Sequence, residues 1–194
     1  MEENIDYYLE KAKALHGDIC AGIVLGTRLT LAGMKALGMD PMKRNRDLIV
    51  FVEIDRCMTD AVQAVTGISL GHRTLKYVNY GKFAATFYDM ESKRAVRFTK
   101  KQSANCQGDD YGEYLKTAPE EELVNIEEVK LSLDDNDLPG SPKNTKECSR
   151  CGELIFDGRA IKKNGKLLCK ACADGSYYAH SAKPQAEAKC KEQK

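Results

Sequence analysis

The chain has 194 residues, 42% hydrophobic and 30% charged, with a formal net charge of +1. That length allows one medium domain and a small one, and the charge balance excludes a global pull toward nucleic acid or an anionic membrane. No apolar run approaches the roughly 18 residues of a membrane span.

The opening Met1-Glu2-Glu3-Asn4 is acidic and polar, so no secretory signal is expected. Ile5, Tyr8, Leu9, Ala12 and Leu15 recur at helical spacing and predict an amphipathic first helix, broken at His16-Gly17. Asp18 is the expected cap of a second helix running to about Leu37, with Gly38 as its stop. That helix is apolar over much of its circumference and carries Gly22, Gly26 and Gly33. Each interior glycine costs about 1 kcal/mol against alanine, which close backbone packing in a buried position would offset.

Leu48 to Ile54 is a largely apolar, β-branched run and predicts a central strand. Cys57 to Val65 reads as a helix ending at Gly67. Thr74 to Val78, Lys82 to Asp89 and Ala95 to Phe98 read as strands, with Glu91-Ser92-Lys93 as a hairpin turn. Asp109 to Lys116 and Pro119 to Leu123 are short helical candidates, and Val124 to Leu131 is either a last strand or a helix end. Residues 134–145 lack a core pattern and are rich in Asp, Asn, Pro and Gly, so they are the expected linker. The expected organisation is a core domain over 1–133, this linker, a small domain over 146–180 and a polar tail over 181–194.

The small domain holds the strongest motif. Cys148-Ser149-Arg150-Cys151 and Cys169-Lys170-Ala171-Cys172 are separated by seventeen residues, the spacing of a four-cysteine zinc site. So short a stretch builds little core, and the ion would supply its folding energy. Gly152 suits a tight knuckle, and Leu154 to Phe156 and Ala160 to Lys163 read as strands. Asn164-Gly165 is a two-residue hairpin signal, and Cys172 sits on the first turn of a following helix. Knuckle, hairpin and helix start predict a zinc ribbon or treble clef. Its lysines and arginines offset an anionic zinc–thiolate centre. They carry only a minor alternative, a regulatory nucleic-acid-binding finger.

A second constellation is His16, Cys20 and Cys57. The first two flank a helix start, and Cys57 follows a strand. A helix N-terminus stabilises a thiolate, which Asp18 opposes in part. One His and two Cys suit zinc or another borderline-soft ion with one position open. The alternatives are buried structural cysteines, or an enzyme using Cys20 or Cys57 as nucleophile with His16 as base. His72 faces either this site or solvent. Cys106 and Cys190 lack partners at metal spacing, and His180 lies just past the small domain. Eight cysteines, two metal-type pairs among them, and no secretory start fit a reducing cytoplasm.

His16-Gly17-Asp18-Ile19-Cys20-Ala21-Gly22 with Gly26-Thr27-Arg28, and Cys57 to Gly67, resemble the two signatures of the formylmethanofuran dehydrogenase E-subunit family. Leu70-Gly71-His72 and Tyr80-Gly81-Lys82 continue the match, and many members carry a C-terminal four-cysteine finger. The resemblance implies an α+β fold, an antiparallel sheet with packed helices, often assembled as a homodimer. It implies a pocket lined by His16, Cys20 and Cys57. Asp60 would share the Cys57 helix face, Gln63 would lie toward its edge, and Asp18 and His72 are further ligand candidates. It implies molybdenum or tungsten dehydrogenase components as partners, in one-carbon metabolism. Three positions depart from the family pattern. Asp18 replaces a frequent second histidine and would offer a carboxylate oxygen, Ala21 replaces a proline, and Ile68 replaces a cysteine, which argues against an iron–sulfur cluster.

The expectation is a zinc-binding accessory protein with Zn2+ in the finger and a second metal or small ligand in the core pocket.

Overall fold

The computed structural model describes residues 4–105 and 111–179; Cys106, His180, Cys190 and the tail 181–194 lie outside the described residues. The chain divides into two compact units, 1–140 and 141–194.

In the first unit, α1 (Ile5–His16) is capped by Asn4, whose side chain accepts from the Asp6 N–H, and it ends at Gly17 with φ +105°. Helix α2 (Ala21–Ala36) starts later than its sequence predicts. Asp18 is not its cap: Cys20 holds that position with extended backbone and no side-chain cap bond. Gly17 leaves the helical region, and residues 17–20 become a loop. The Asp18 carboxylate there lies beside the His16 ring instead of the α2 N–H groups. Gly38, at φ +72°, does stop α2, with the Met39 N–H donating to the Met34 carbonyl. Helix α3 (Cys57–Thr66) ends at Gly67 in the left-handed region.

The sheet has the order β2-β1-β3-β4-β5, formed by β1 (Leu48–Val52), β2 (Leu75–Tyr77), β3 (Ala84–Asp89), β4 (Ala95–Lys100) and β5 (Val124–Val129). All neighbours are antiparallel except β1 and β2, so β2 is a parallel edge strand. Alternation sorts the two faces. Leu48, Val50, Val52, Phe87 and Phe98 join the helices in the main core. Ile49, Tyr88 and Ala95 form a smaller cluster behind, covered by Leu131, Leu133 and Leu138. Beside that cluster the Arg97 guanidinium forks onto Glu53 at 2.7 and 2.8 Å.

Helix α2 is the spine of the main core, buried at eleven of its residues. A Cβ on Gly26 would stand 2.8 Å from Met58 Cα, and one on Gly33 2.7 Å from the Phe87 ring. The glycines therefore permit the close approach of α2 to α3 and to the sheet. Arg28 reaches from α2 to the carbonyls of Leu115, Lys116 and Ala118, pinning α4 (Tyr111–Thr117) in place before α5 (Glu120–Leu123).

The segment read as a linker is divided. Residues up to Gly140 belong to the first unit: Leu138 packs on the smaller cluster, and the Leu138 and Asn136 carbonyls accept from Arg73. Lys76 donates to the Asp137 carbonyl at 2.6 Å. The second unit pairs β6 (Lys146–Glu147) with β7 (Leu154–Ile155), and β8 (Ile161–Lys163) with β9 (Lys166–Leu168), and ends in α6 (Lys170–Asp174). Asn164 and Gly165 both take positive φ, as a two-residue hairpin turn requires. No helix among the described residues is long and apolar enough to cross a membrane.

Candidate metal centres

The second unit brings its four cysteines together. Cys148 and Cys151 flank a knuckle closed by the Gly152 N–H donating to the Cys148 carbonyl, with Gly152 at φ +76°. Cys169 caps α6 and Cys172 lies in its first turn. All four sulfurs lie within 4.8 Å of one another, and Cys151 and Cys169 Sγ are 4.0 Å apart. A tetrahedral zinc with Zn–S bonds of about 2.3 Å sets its sulfurs about 3.8 Å apart, so the cluster fits the ion closely.

The backbone prepares it further. The Cys169 N–H donates to Cys148 Sγ at 3.3 Å, and the Cys172 N–H to Cys169 Sγ at 3.4 Å. The Cys151 and Cys169 N–H groups hold the Cys148 thiol down to about 6, whereas the adjacent Cys169 sulfur and burial push Cys172 up to about 12. Four thiolates this close require a cation among them.

In the first unit, His16 ends α1, Cys20 precedes α2 and Cys57 opens α3. Three elements distant in sequence thus place one imidazole and two thiols so that their ligand atoms all lie within 4.8 Å. His16 Nδ1 is 2.7 Å from Asp60 Oδ2. An ionised carboxylate only accepts, so Nδ1 carries a proton, and in the neutral imidazole Nε2, 4.0 Å from Cys20 Sγ, is then the lone-pair nitrogen. This is the carboxylate–histidine arrangement that fixes the tautomer of a metal-binding imidazole. The Asp60 hydrogen bond also raises the His16 pKa.

Burial alone would push the Cys20 thiol up. The Ile23 and Gly22 N–H groups, the Cys57 thiol and His16 together bring it below its ordinary value. Cys57 moves up, from burial first and then from its Cys20 neighbour. Neither α2 nor α3 has a side-chain cap bond, and at the start of α2 the Gly22 and Ile23 N–H groups act on the Cys20 sulfur instead. Gly22 makes room for the pair: a Cβ there would meet Cys57 Cβ at 3.0 Å, with the Cys57 and Cys20 sulfurs at 3.4 and 3.6 Å.

A cavity of about 480 Å³ opens beside the cluster, lined by His16, Asp55, Arg56, Cys57, Thr59 and Asp60. Gln63, a turn past Asp60, does not line it. His72 sits on the exposed turn before β2, its Nδ1 2.8 Å from Ser69 Oγ, and does not line it either. Asp55 and Arg56 carry no motif signal in the sequence beyond their adjacency to Cys57, and Thr59 lies within the second signature without a role assigned to it there.

Fold and sites together define an α+β domain carrying a His/Cys cluster, joined to a small four-cysteine zinc-finger domain. The family model described as FmdE, molybdenum formylmethanofuran dehydrogenase operon, matches residues 15–137, and the chain belongs to that family. The prokaryotic dksA/traR C4-type zinc finger matches residues 143–178. A probable S-adenosyl-L-methionine-binding protein of Archaeoglobus fulgidus is 31% identical, over 88% of this chain and 53% of its own length. The chain thus spans about half of that relative. A tungsten formylmethanofuran dehydrogenase FmdE-like protein from Syntrophus aciditrophicus, solved by crystallography, superposes with a TM-score of 0.59 at 22% identity, over 92% of this chain and 96% of that one. At that identity the likeness shows the fold alone.

Proposed function

We propose that this is a metal-binding accessory protein in which a structural zinc holds the finger and a second, borderline-soft ion is held by His16 Nε2, Cys20 Sγ and Cys57 Sγ. The observation that carries the second centre is the convergence of three donors from three helix ends, with Asp60 fixing the imidazole tautomer. Thiolate and imidazole donors suit zinc, cobalt or iron more than magnesium or calcium. When bound, such an ion supplies Lewis acidity or a polarised water. The chain's own residues bind it, orient the histidine and provide a cavity of about 480 Å³ for a small ligand. A role beside molybdenum or tungsten dehydrogenase components in cytoplasmic one-carbon chemistry, and assembly as a homodimer, draw their support from family membership.

Elemental analysis of chain purified without chelator tests the reading. Two ions per chain are expected. Cys57→Ser is expected to leave about one, and Cys151→Ser with Cys172→Ser to remove the other. A single ion per chain, unaffected by Cys57→Ser, sinks the core centre.

A second reading has one observation behind it. Asp60, His16 and Cys20 form a relay at 2.7 and 4.0 Å, the order of orienting acid, base and nucleophile. In that case iodoacetamide should modify Cys20 rapidly at neutral pH whether or not metal has been removed. Protection by bound metal favours the ligand role.

A further inference from the structure

The Tyr80-Gly81-Lys82 turn takes part in neither metal centre. It hangs from the end of β1: the Tyr80 and Lys82 N–H groups both donate to the Glu53 carbonyl, at 3.1 and 3.2 Å, and Gly81 takes φ +64° in between. Beside the turn, β3 begins and β4 ends, with Ala84 opposite Thr99 and the Lys100 N–H donating to the Phe83 carbonyl at 3.0 Å. Turn and strand ends frame a cavity of about 310 Å³. Lys82, Lys100 and Lys101 line it, with Thr99 and Gln102, and among the described residues no carboxylate does.

Three ammonium groups around one hollow stand apart from a chain whose charges balance to +1. None of the three forms an ion pair among the described residues. Each is steadied by a neutral group instead. Lys82 Nζ stands 5.9 Å from the centre of the Tyr80 ring. Lys100 Nζ lies 3.5 Å from the Tyr111 hydroxyl, whose own hydrogen goes to the Ala104 carbonyl. Lys101 donates to the Glu121 main-chain carbonyl. Of the other acids on α5, Glu122 accepts from Tyr114 and Glu120 lies in the field of Arg28. A carboxylate would neutralise an ammonium. A ring, a hydroxyl or a carbonyl orients it and leaves it charged, with further N–H groups to donate.

We infer that this cavity binds a phosphate group, free or carried by a small ester. Lysine binds phosphate as a point charge, and three ammonium groups that keep their charge suit an anion carrying two or more negative charges. Thr99 and Gln102 add neutral donors. Thr99 Oγ1 accepts from Asn125 at 3.5 Å and keeps its own hydrogen to give, and the Gln102 amide has no partner among the described residues. A closed-ended hollow suits a small phosphate better than a nucleic-acid strand, whose backbone needs an extended groove. The site is independent of both metal centres.

The test titrates the full chain, its finger zinc in place, with inorganic phosphate and with pyrophosphate, read by calorimetry and by amide NMR spectra. Saturable binding is expected, with shifts at the Ala84, Thr99 and Gln102 amides. Lys82→Gln, Lys100→Gln and Lys101→Gln are each expected to weaken it by about tenfold or more, the scale of a hydrogen bond to a charged group. Lys35→Gln, near the end of α2 and outside the cavity, should leave it unchanged. Tighter binding of pyrophosphate than of phosphate assigns the site to esters and diphosphates, and the reverse order assigns it to the free ion. Unshifted amides in the wild-type protein overturn the site without recourse to any variant, as does equal affinity in wild type and the three cavity variants. Acetate competing as well as phosphate overturns the ligand class. Single-stranded RNA binding more tightly than pyrophosphate through the same lysines overturns the small ligand in favour of a polymer.

Discussion

Asp89, at the end of β3, is 8% exposed and serves the hairpin into β4: it accepts from the Glu91 N–H at 3.0 Å, from the Ser92 N–H at 3.3 Å and from the Ser92 hydroxyl. Burial pulls its pKa up, but the Ser92 hydroxyl, the two N–H groups and Arg94 together set it below the ordinary carboxylate value. A carboxylate more acidic in the folded state contributes stability that is present above its unfolded pKa and is lost as pH falls through its folded one. Asp89→Asn should therefore cost about 1–3 kcal/mol at pH 7. Urea unfolding repeated at successively lower pH should show the two proteins converging below about pH 4; a gap that persists in acid would show a purely steric cost. At this scale the sequence is a good guide to chemistry and a poor one to contacts. His16, Cys20 and Cys57 were legible as metal-type residues, and Asp60 as sharing a face with Cys57, because side-chain identity and helical period are local facts. That Gly22 lies against both sulfurs was not legible, since it depends on how two helices approach.

That approach belongs to the scale of elements. Gly26 on α2 faces the backbone of Met58 and the Ala61 methyl on α3, where an added Cβ would come within 2.8 and 2.9 Å. Alanine gains about 1 kcal/mol of helix propensity, but overpacking of this kind costs about 1–3 kcal/mol. The backbone at Met58 cannot rotate away as a side chain end would. Gly26→Ala should lower the melting temperature and also weaken core metal binding, because pushing α2 from α3 separates Cys20 from Cys57. A variant that melts higher and binds metal normally would contradict this packing. The glycines announced close packing through their cost to an apolar helix, so this feature was readable in kind. The start of α2 was not, because Asp18 has the right chemistry for a cap and a competing partner in His16. Nor was the direction of β2: Leu75-Lys76-Tyr77 has the same alternation read either way, and its parallel pairing with β1 is a non-local choice.

Across the whole molecule, the two units rest on different sources of stability. The first has a large apolar core from helices and sheet. In the second, the buried hydrophobic positions among the described residues are Cys148, Ile155 and Ala173, too few to hold four short strands and one helical turn. Its order should depend on the ion. A strong chelator is expected to open residues 141–179 to protease while 4–105 and 111–140 stay resistant, and added zinc should reverse it; uniform resistance would remove the structural role of the metal. The four-cysteine cluster was legible, because cysteine spacing is written in the chain. The seam between the units was less so. Residues 134–140 have a linker's composition, yet they are held by Arg73 and Lys76 through main-chain carbonyls, acceptors every residue type possesses.

The strap that ends in Leu138 has a practical corollary for anyone shortening the gene. A stop codon after Leu133 removes one of the leucines roofing Ile49, Tyr88 and Ala95, together with the Asn136, Asp137 and Leu138 carbonyls that accept from Arg73 and Lys76. The fragment would carry a greasy, half-uncovered sheet and tend to clump. A stop after Gly140 keeps the roof on, at the expense of seven more codons.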